Sequence, residues 1–223
     1  MRCGSRRNGF LRQPAGLNFG SRGSPCSGTT ARTTIVSIAN RPFFRSDPLG
    51  NIANSIVPAG SMSLRYGEML LKDVTPAAFA RFPSPGGKVI QTNHPAFVFG
   101  HLAIYPHRLM TMLGRPVGVT APPEGWEALF KAGVECRDDP QGTIYPPMAK
   151  VVEFHKGAYE AAIALIAAAT DEELTQPNPG EGRMKEMFPT IGALANFLLG
   201  SHVMSHYGQV SAWRRCMGLG SAM

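Results

Sequence analysis

The chain has 223 residues, and 43% of them are hydrophobic, which is enough for one globular domain with a sizeable core. No apolar run approaches the ~20 residues of a membrane-spanning helix, so we expect no membrane association. The net charge is +7, but residues 1–45 hold eight arginines and no acidic residue, which leaves residues 46–223 at −1. A nucleic-acid surface needs clustered basic charge on the folded part, so this distribution argues against a nucleic-acid partner.

Residues 1–45 are rich in arginine, glycine and serine, a composition that predicts a disordered N-terminal extension. This composition fits an organelle transit peptide, and it fits a wrongly assigned start codon equally well. We therefore expect residues 46–223 to form the folded domain. The four cysteines have no short paired spacing, which favours reduced thiols in a cytoplasmic protein.

The folded part begins with two helical patterns. The first covers about Asn51–Asp73, and Pro58 is expected to kink or restart it. The second begins at Asn93-His94-Pro95, where a capping residue precedes a proline, and is expected to continue to Gly114. Its apolar positions recur with helical spacing and include His101.

Two further helices follow a long connection. Residues 115–146 suit a crossover, with a short helix predicted at Pro123–Lys131. The third helix is expected over Pro147–Ala169, followed by a capping box that begins at Thr170. The fourth is expected from Thr190 to about Gly218. Strand signals are scarce, so the sequence predicts an all-α fold: a four-helix bundle with a long crossover connection between helices 2 and 3.

Histidines stand out on these helices. His202 and His206 are four residues apart, which stacks them roughly 6 Å apart on one helix face. The inward stripe of the fourth helix is expected to comprise Ile191, Leu194, Leu198, His202, Ser205 or His206, Gln209 and Trp213. A lone histidine on an apolar face is usually a core residue, but a pair joined by a third histidine from another helix can share a metal ion. Three nitrogen ligands with one open position are typical of a catalytic site.

Short motifs add a family resemblance. The chain resembles the DinB-like superfamily of four-helix-bundle metalloproteins over about residues 50–220, through Gly100-His101-Leu102, His202-x-x-x-His206-Tyr207-Gly208-Gln209, Trp213-Arg214-Arg215 and Gly218-Leu219-Gly220. The resemblance implies that His101, His202 and His206 bind a divalent metal, commonly zinc or nickel. Characterised relatives include bacillithiol- or mycothiol-dependent S-transferases and a mycothiol-dependent isomerase, in which the metal is thought to hold a thiolate.

The resemblance thus implies a metal-dependent thiol S-transferase or hydrolase-like enzyme that acts on a small molecule, with a low-molecular-weight thiol as co-substrate. Two alternatives stay open: a non-catalytic metal-binding or stress-response bundle, and a structural bundle that forms a homodimer through a helix face. His155 could be a fourth ligand, a base behind the ligands, or packing. Gln209 could orient a ligand or pack between helices. Tyr105 could offer its phenol to substrate, but core packing is favoured.

Overall fold

The computed structural model describes residues 49–223, and this part of the chain is all-helical, which confirms the predicted fold class. The predicted N-terminal extension, residues 1–45, lies outside the described residues. Among the described residues, no helix has both the length and the apolar character needed to cross a membrane. The helices follow in chain order: α1 (Asn51–Leu70), α2 (Pro95–Ala103), α3 (Pro106–Met112), α4 (Trp126–Phe130), α5 (Met148–Ala168), α6 (Asp171–Thr175), α7 (Gly182–Met187), α8 (Ile191–Asn196) and α9 (His202–Cys216).

Helix α1 continues through Pro58, so the prediction of a restart there was wrong. Pro58 is exposed, and water can hydrogen-bond the carbonyl group that the proline leaves without a partner. The helix ends at Leu70, three residues before the predicted Asp73, which has a left-handed φ of 63°. A non-glycine residue in that conformation does not continue a right-handed helix.

The second predicted helix is two helices. His94 caps α2, and its Nδ1 accepts a hydrogen bond from the Phe97 backbone N–H at 3.2 Å. Helix α2 ends at Ala103, because Pro106 has no backbone N–H to donate to Leu102 and its ring would clash with that carbonyl group in a continuous helix. All nine residues of α2 are buried. This helix is therefore a central element of the core rather than a helix with one apolar face.

The fourth predicted helix contains a π-helical turn at Phe197–Ser201, between α8 and α9. A π turn holds more residues than an α turn, so the side chains of α9 point in different directions from those that an uninterrupted α-helix would give them. Beyond it the buried positions are Val203, Tyr207, Val210, Trp213 and Arg214. The predicted inward stripe was therefore wrong at His202, His206 and Gln209, which are only half-buried, and at Ser205, which is exposed.

Four elements enclose the core. Helices α1 and α2 each pack against both α5 and α9. The long connection between α3 and α5 contributes α4, whose Phe130 is fully buried beside α2. Helix α5 matches its predicted range to within one residue at each end, and the capping box at Thr170 is present.

Candidate metal centre

Three histidines from two helices converge at one point. His101 comes from the buried helix α2, whereas His202 and His206 lie one turn apart at the start of α9. One potential ligand atom of each lies within 4.8 Å of the other two. The ring centroids are 5.4 Å apart for His101 and His202, 4.6 Å for His101 and His206, and 4.8 Å for His202 and His206. The structure thus brings together all three predicted ligands.

Hydrogen bonds orient two of the rings. Nδ1 of His101 lies 2.7 Å from the backbone oxygen of Phe130, and Nδ1 of His206 lies 3.0 Å from Oε1 of Gln209. Because both oxygens only accept, each Nδ1 carries a proton, and in the neutral form of either ring Nε2 is the nitrogen with the lone pair. Asn93 donates from Nδ2 to the same Gln209 oxygen at 3.0 Å, which holds the amide in place.

Gly100 explains how the Phe130 carbonyl reaches His101. A side-chain carbon at position 100 would overlap the aromatic ring of Phe130. Glycine therefore lets the Phe130 ring pack directly against α2. The backbone carbonyl of Phe130 then reaches the imidazole of His101, the residue after Gly100. This packing gives a physical reason for the Gly-His pair of the sequence motif.

The surroundings keep the imidazoles of His101 and His202 neutral. Burial is the main cause that lowers the pKa of His101 to about 4 and that of His202 to about 3, and the neighbouring His206 and Arg108 add to both shifts. At neutral pH these rings are therefore unprotonated. Neutral imidazole is the form that donates a nitrogen lone pair to a metal.

The donor set fits a divalent metal ion. Three neutral nitrogens with a free coordination position are the ligands of catalytic zinc sites, which hold nitrogen at about 2.0–2.1 Å from the ion, and the same donors suit nickel. Nδ1 of His202 is buried and has no hydrogen-bond partner among the described residues. Burying a polar atom without a hydrogen-bond partner costs free energy, and a metal ion bound at this Nδ1 would supply a partner.

The three histidines line a cavity of about 760 Å³, within the range of small-molecule sites. Apolar side chains form much of the remaining wall, among them Phe97, Leu194 and Leu198. A substrate could thus lie directly beside a metal held by the histidines.

A family model described as the DinB superfamily matches residues 64–210. The chain belongs to the DinB superfamily. The match covers all three histidines and runs from within α1 to within α9. Neither curated proteins nor solved structures gave a match.

In this DinB-superfamily protein, Tyr105 lies beside the three histidines, whereas the sequence favours core packing for it. It occupies the break between α2 and α3 and is half-buried in the cavity wall. Its ring centroid lies 5.0 Å from that of His101 and 5.1 Å from that of His202. Burial raises the pKa of Tyr105, so its hydroxyl stays protonated at neutral pH and can donate a hydrogen bond into the cavity.

His155 is a core residue of this DinB-superfamily protein and is not part of the histidine cluster. It is 2% exposed, its ring stacks on Tyr159, and its Nε2 lies 3.2 Å from the hydroxyl of Tyr207. Burial lowers its pKa to about 3, so it stays neutral. The packing alternative therefore describes His155 in this structure.

Sequence reasoning identified Gln209 but missed the Phe130 carbonyl and Asn93. A backbone carbonyl has no residue-type signature, so only the fold reveals Phe130 as the partner of His101. Asn93 lies 116 positions from Gln209 along the chain. It was read only as part of the signal that begins α2.

Proposed function

We propose that this protein binds one divalent metal ion, zinc or nickel, through His101, His202 and His206. We further propose that it is a metal-dependent enzyme acting on a small molecule, as a thiol S-transferase or hydrolase-like protein with a low-molecular-weight thiol as co-substrate. The observation that carries this proposal is the convergence of three imidazoles on the wall of a cavity large enough for a substrate.

The proposed chemistry divides between metal and protein. A bound divalent metal would lower the pKa of a thiol or water and polarise a substrate oxygen. Phe130 and Gln209 accept the Nδ1 proton of His101 and of His206, which leaves Nε2 of each ring as the nitrogen that would bind the ion. Tyr105 can donate a hydrogen bond to a substrate atom beside the histidines. The apolar wall removes water from the reacting groups, which strengthens their electrostatic interactions.

A turnover assay tests this proposal. A panel of low-molecular-weight thiols is combined with an aromatic chloride as electrophile, and activated esters are supplied separately for hydrolysis. We expect turnover with the metal-loaded protein, and loss of turnover after chelation and in the His202→Ala/His206→Ala double variant. His107→Gln, a substitution outside the histidine cluster, serves as the control.

Turnover that survives in the double variant would rule out the metal as catalyst. Stoichiometric metal without turnover of any thiol or ester would instead favour the non-catalytic metal-binding protein. A cytoplasmic location and the absence of a nucleic-acid partner stay predictions from composition and charge. A homodimer formed through a helix face stays part of the structural alternative.

A further inference from the structure

Arg108 lies beside the candidate metal centre. It is in the first turn of α3, directly after the break that Pro106 causes. Its guanidinium carbon lies 4.7 Å from the ring centroid of Tyr105, and the Tyr105 ring in turn packs against His202. A cation is thus stacked on an aromatic ring that separates it from the metal ligands, and Arg108 lines the same cavity.

No carboxylate neutralises this cation among residues 49–223. Two other arginines of this region, Arg81 and Arg115, form ion pairs with Asp138 and Glu173 at 2.9 and 2.7 Å. Arg108 is exposed and forms no ion pair with any described residue, and its guanidinium group lies over the Tyr105 ring. The cavity wall carries a second cation, Lys131, and one carboxylate, Glu181, so its charged side chains sum to a positive charge.

The same cavity offers an apolar surface next to the cation. The aromatic and aliphatic side chains of its wall are Phe97, Met112, Val134, Met184, Leu194, Phe197 and Leu198. A molecule that fills this space would bury its apolar body against these side chains, and its end nearest Tyr105 would meet the guanidinium group.

We propose that the cavity takes an amphipathic anion, a small molecule with an apolar body and an acidic group that Arg108 binds. This inference deepens the proposed function, because it takes the cavity beside the histidines as the substrate site. Arginine presents several N–H donors in one plane, and stacking on Tyr105 leaves these donors free at the edges to bind two oxygens of one acidic group. Arg108 is thus a specificity-determining residue, and it discriminates between anionic and neutral molecules of similar shape.

Two fluorescent dyes test this discrimination in the full-length protein. 8-Anilinonaphthalene-1-sulfonate carries an acidic group, and N-phenyl-1-naphthylamine is its neutral counterpart. We expect Arg108→Gln to weaken binding of the anionic dye about tenfold, and to leave the Kd of the neutral dye unchanged. Arg108→Lys, which keeps the charge but loses the planar donors, should give an intermediate Kd for the anionic dye.

Arg65→Gln is the matched control, because Arg65 is exposed like Arg108 but does not line the cavity. It should leave both dissociation constants unchanged. The inference is overturned if Arg108→Gln changes the Kd of both dyes equally or of neither dye. It is also overturned if Lys131→Gln weakens binding of the anionic dye and Arg108→Gln does not. Metal content is measured on the same preparations, with and without chelator. Wild-type protein without metal would contradict the proposed function, whereas the dye comparison still decides the role of Arg108.

Discussion

At the scale of single residues, the chemistry of the centre depends on which imidazole nitrogen carries the proton. The Phe130 carbonyl and the Gln209 side chain each accept the Nδ1 proton of one histidine, at 2.7 and 3.0 Å. These contacts fix the tautomer and the ring plane, and partners of this kind tune metal affinity.

Removing the Gln209 acceptor should weaken metal binding. In Gln209→Leu, His206 loses the acceptor of its Nδ1 proton, so we expect about tenfold weaker affinity for zinc, measured by competition with a chromophoric chelator. Gln209→Glu, which keeps an acceptor oxygen, should retain most of the affinity. Gln91→Leu places the same substitution at an exposed position and should leave the zinc affinity unchanged. Equal zinc affinity in Gln209→Leu and wild type would show that this hydrogen bond does not support the site.

At the scale of elements, two departures from regular helix position the residues of the candidate centre. The break at Pro106 places Tyr105 beside His101, and the π turn at Phe197–Ser201 rotates His202 and His206 away from the core and toward the cavity. The sequence could predict helices with clear termini, such as the capping box at Thr170. The apolar spacing continues across Pro106 and concealed the break there. The π turn has no residue that marks it, so it could not be predicted.

A substitution at Gly100 tests whether the close packing of Phe130 in α4 against α2 stabilises the fold. Gly100→Ala should lower the free energy of unfolding by about 1–3 kcal/mol, because the added methyl group overlaps the Phe130 ring and the core cannot expand freely. It should also weaken metal binding, since the Phe130 carbonyl would move away from His101.

Gly157→Ala on α5 is the matched control for Gly100→Ala. Nothing lies within 4 Å of a side-chain carbon built there. Alanine favours helix, so this variant should gain about 0.5–1 kcal/mol. Chemical denaturation measures the free energy of unfolding of both variants. Equal stability changes at the two glycines would contradict the packing described here.

At the scale of the whole molecule, Arg214 links distant parts of the chain. It is 1% exposed, and its guanidinium group donates to the backbone oxygens of Leu70, Lys72 and Leu219. It therefore joins the end of α1 to α9 and to the segment after α9. The sequence alone does not reveal this role, because the burial of Arg214 depends on a contact 144 positions away.

Replacing Arg214 should destabilise the fold. Arg214→Met keeps a long apolar side chain but leaves three carbonyl groups without this donor, so we expect a loss on the order of 2–4 kcal/mol. Its neighbour Arg215 is exposed, and within residues 49–223 its side chain hydrogen-bonds only to Ser211. Arg215→Met should therefore stay within about 0.5 kcal/mol of wild type. Urea denaturation distinguishes the two, and a similar cost for both would contradict a linking role for Arg214.

The central claim is that His101, His202 and His206 hold one divalent metal ion, and metal stoichiometry tests it most directly. The wild-type protein, purified without chelator and titrated with zinc or nickel, should bind one ion per chain. It should lose thermal stability when chelator removes that ion, because an ion that binds only the folded state stabilises it. The triple variant His101→Ala/His202→Ala/His206→Ala should bind none, whereas His107→Gln should bind one. A wild-type protein without stoichiometric metal, whose melting temperature chelator leaves unchanged, would contradict the claim.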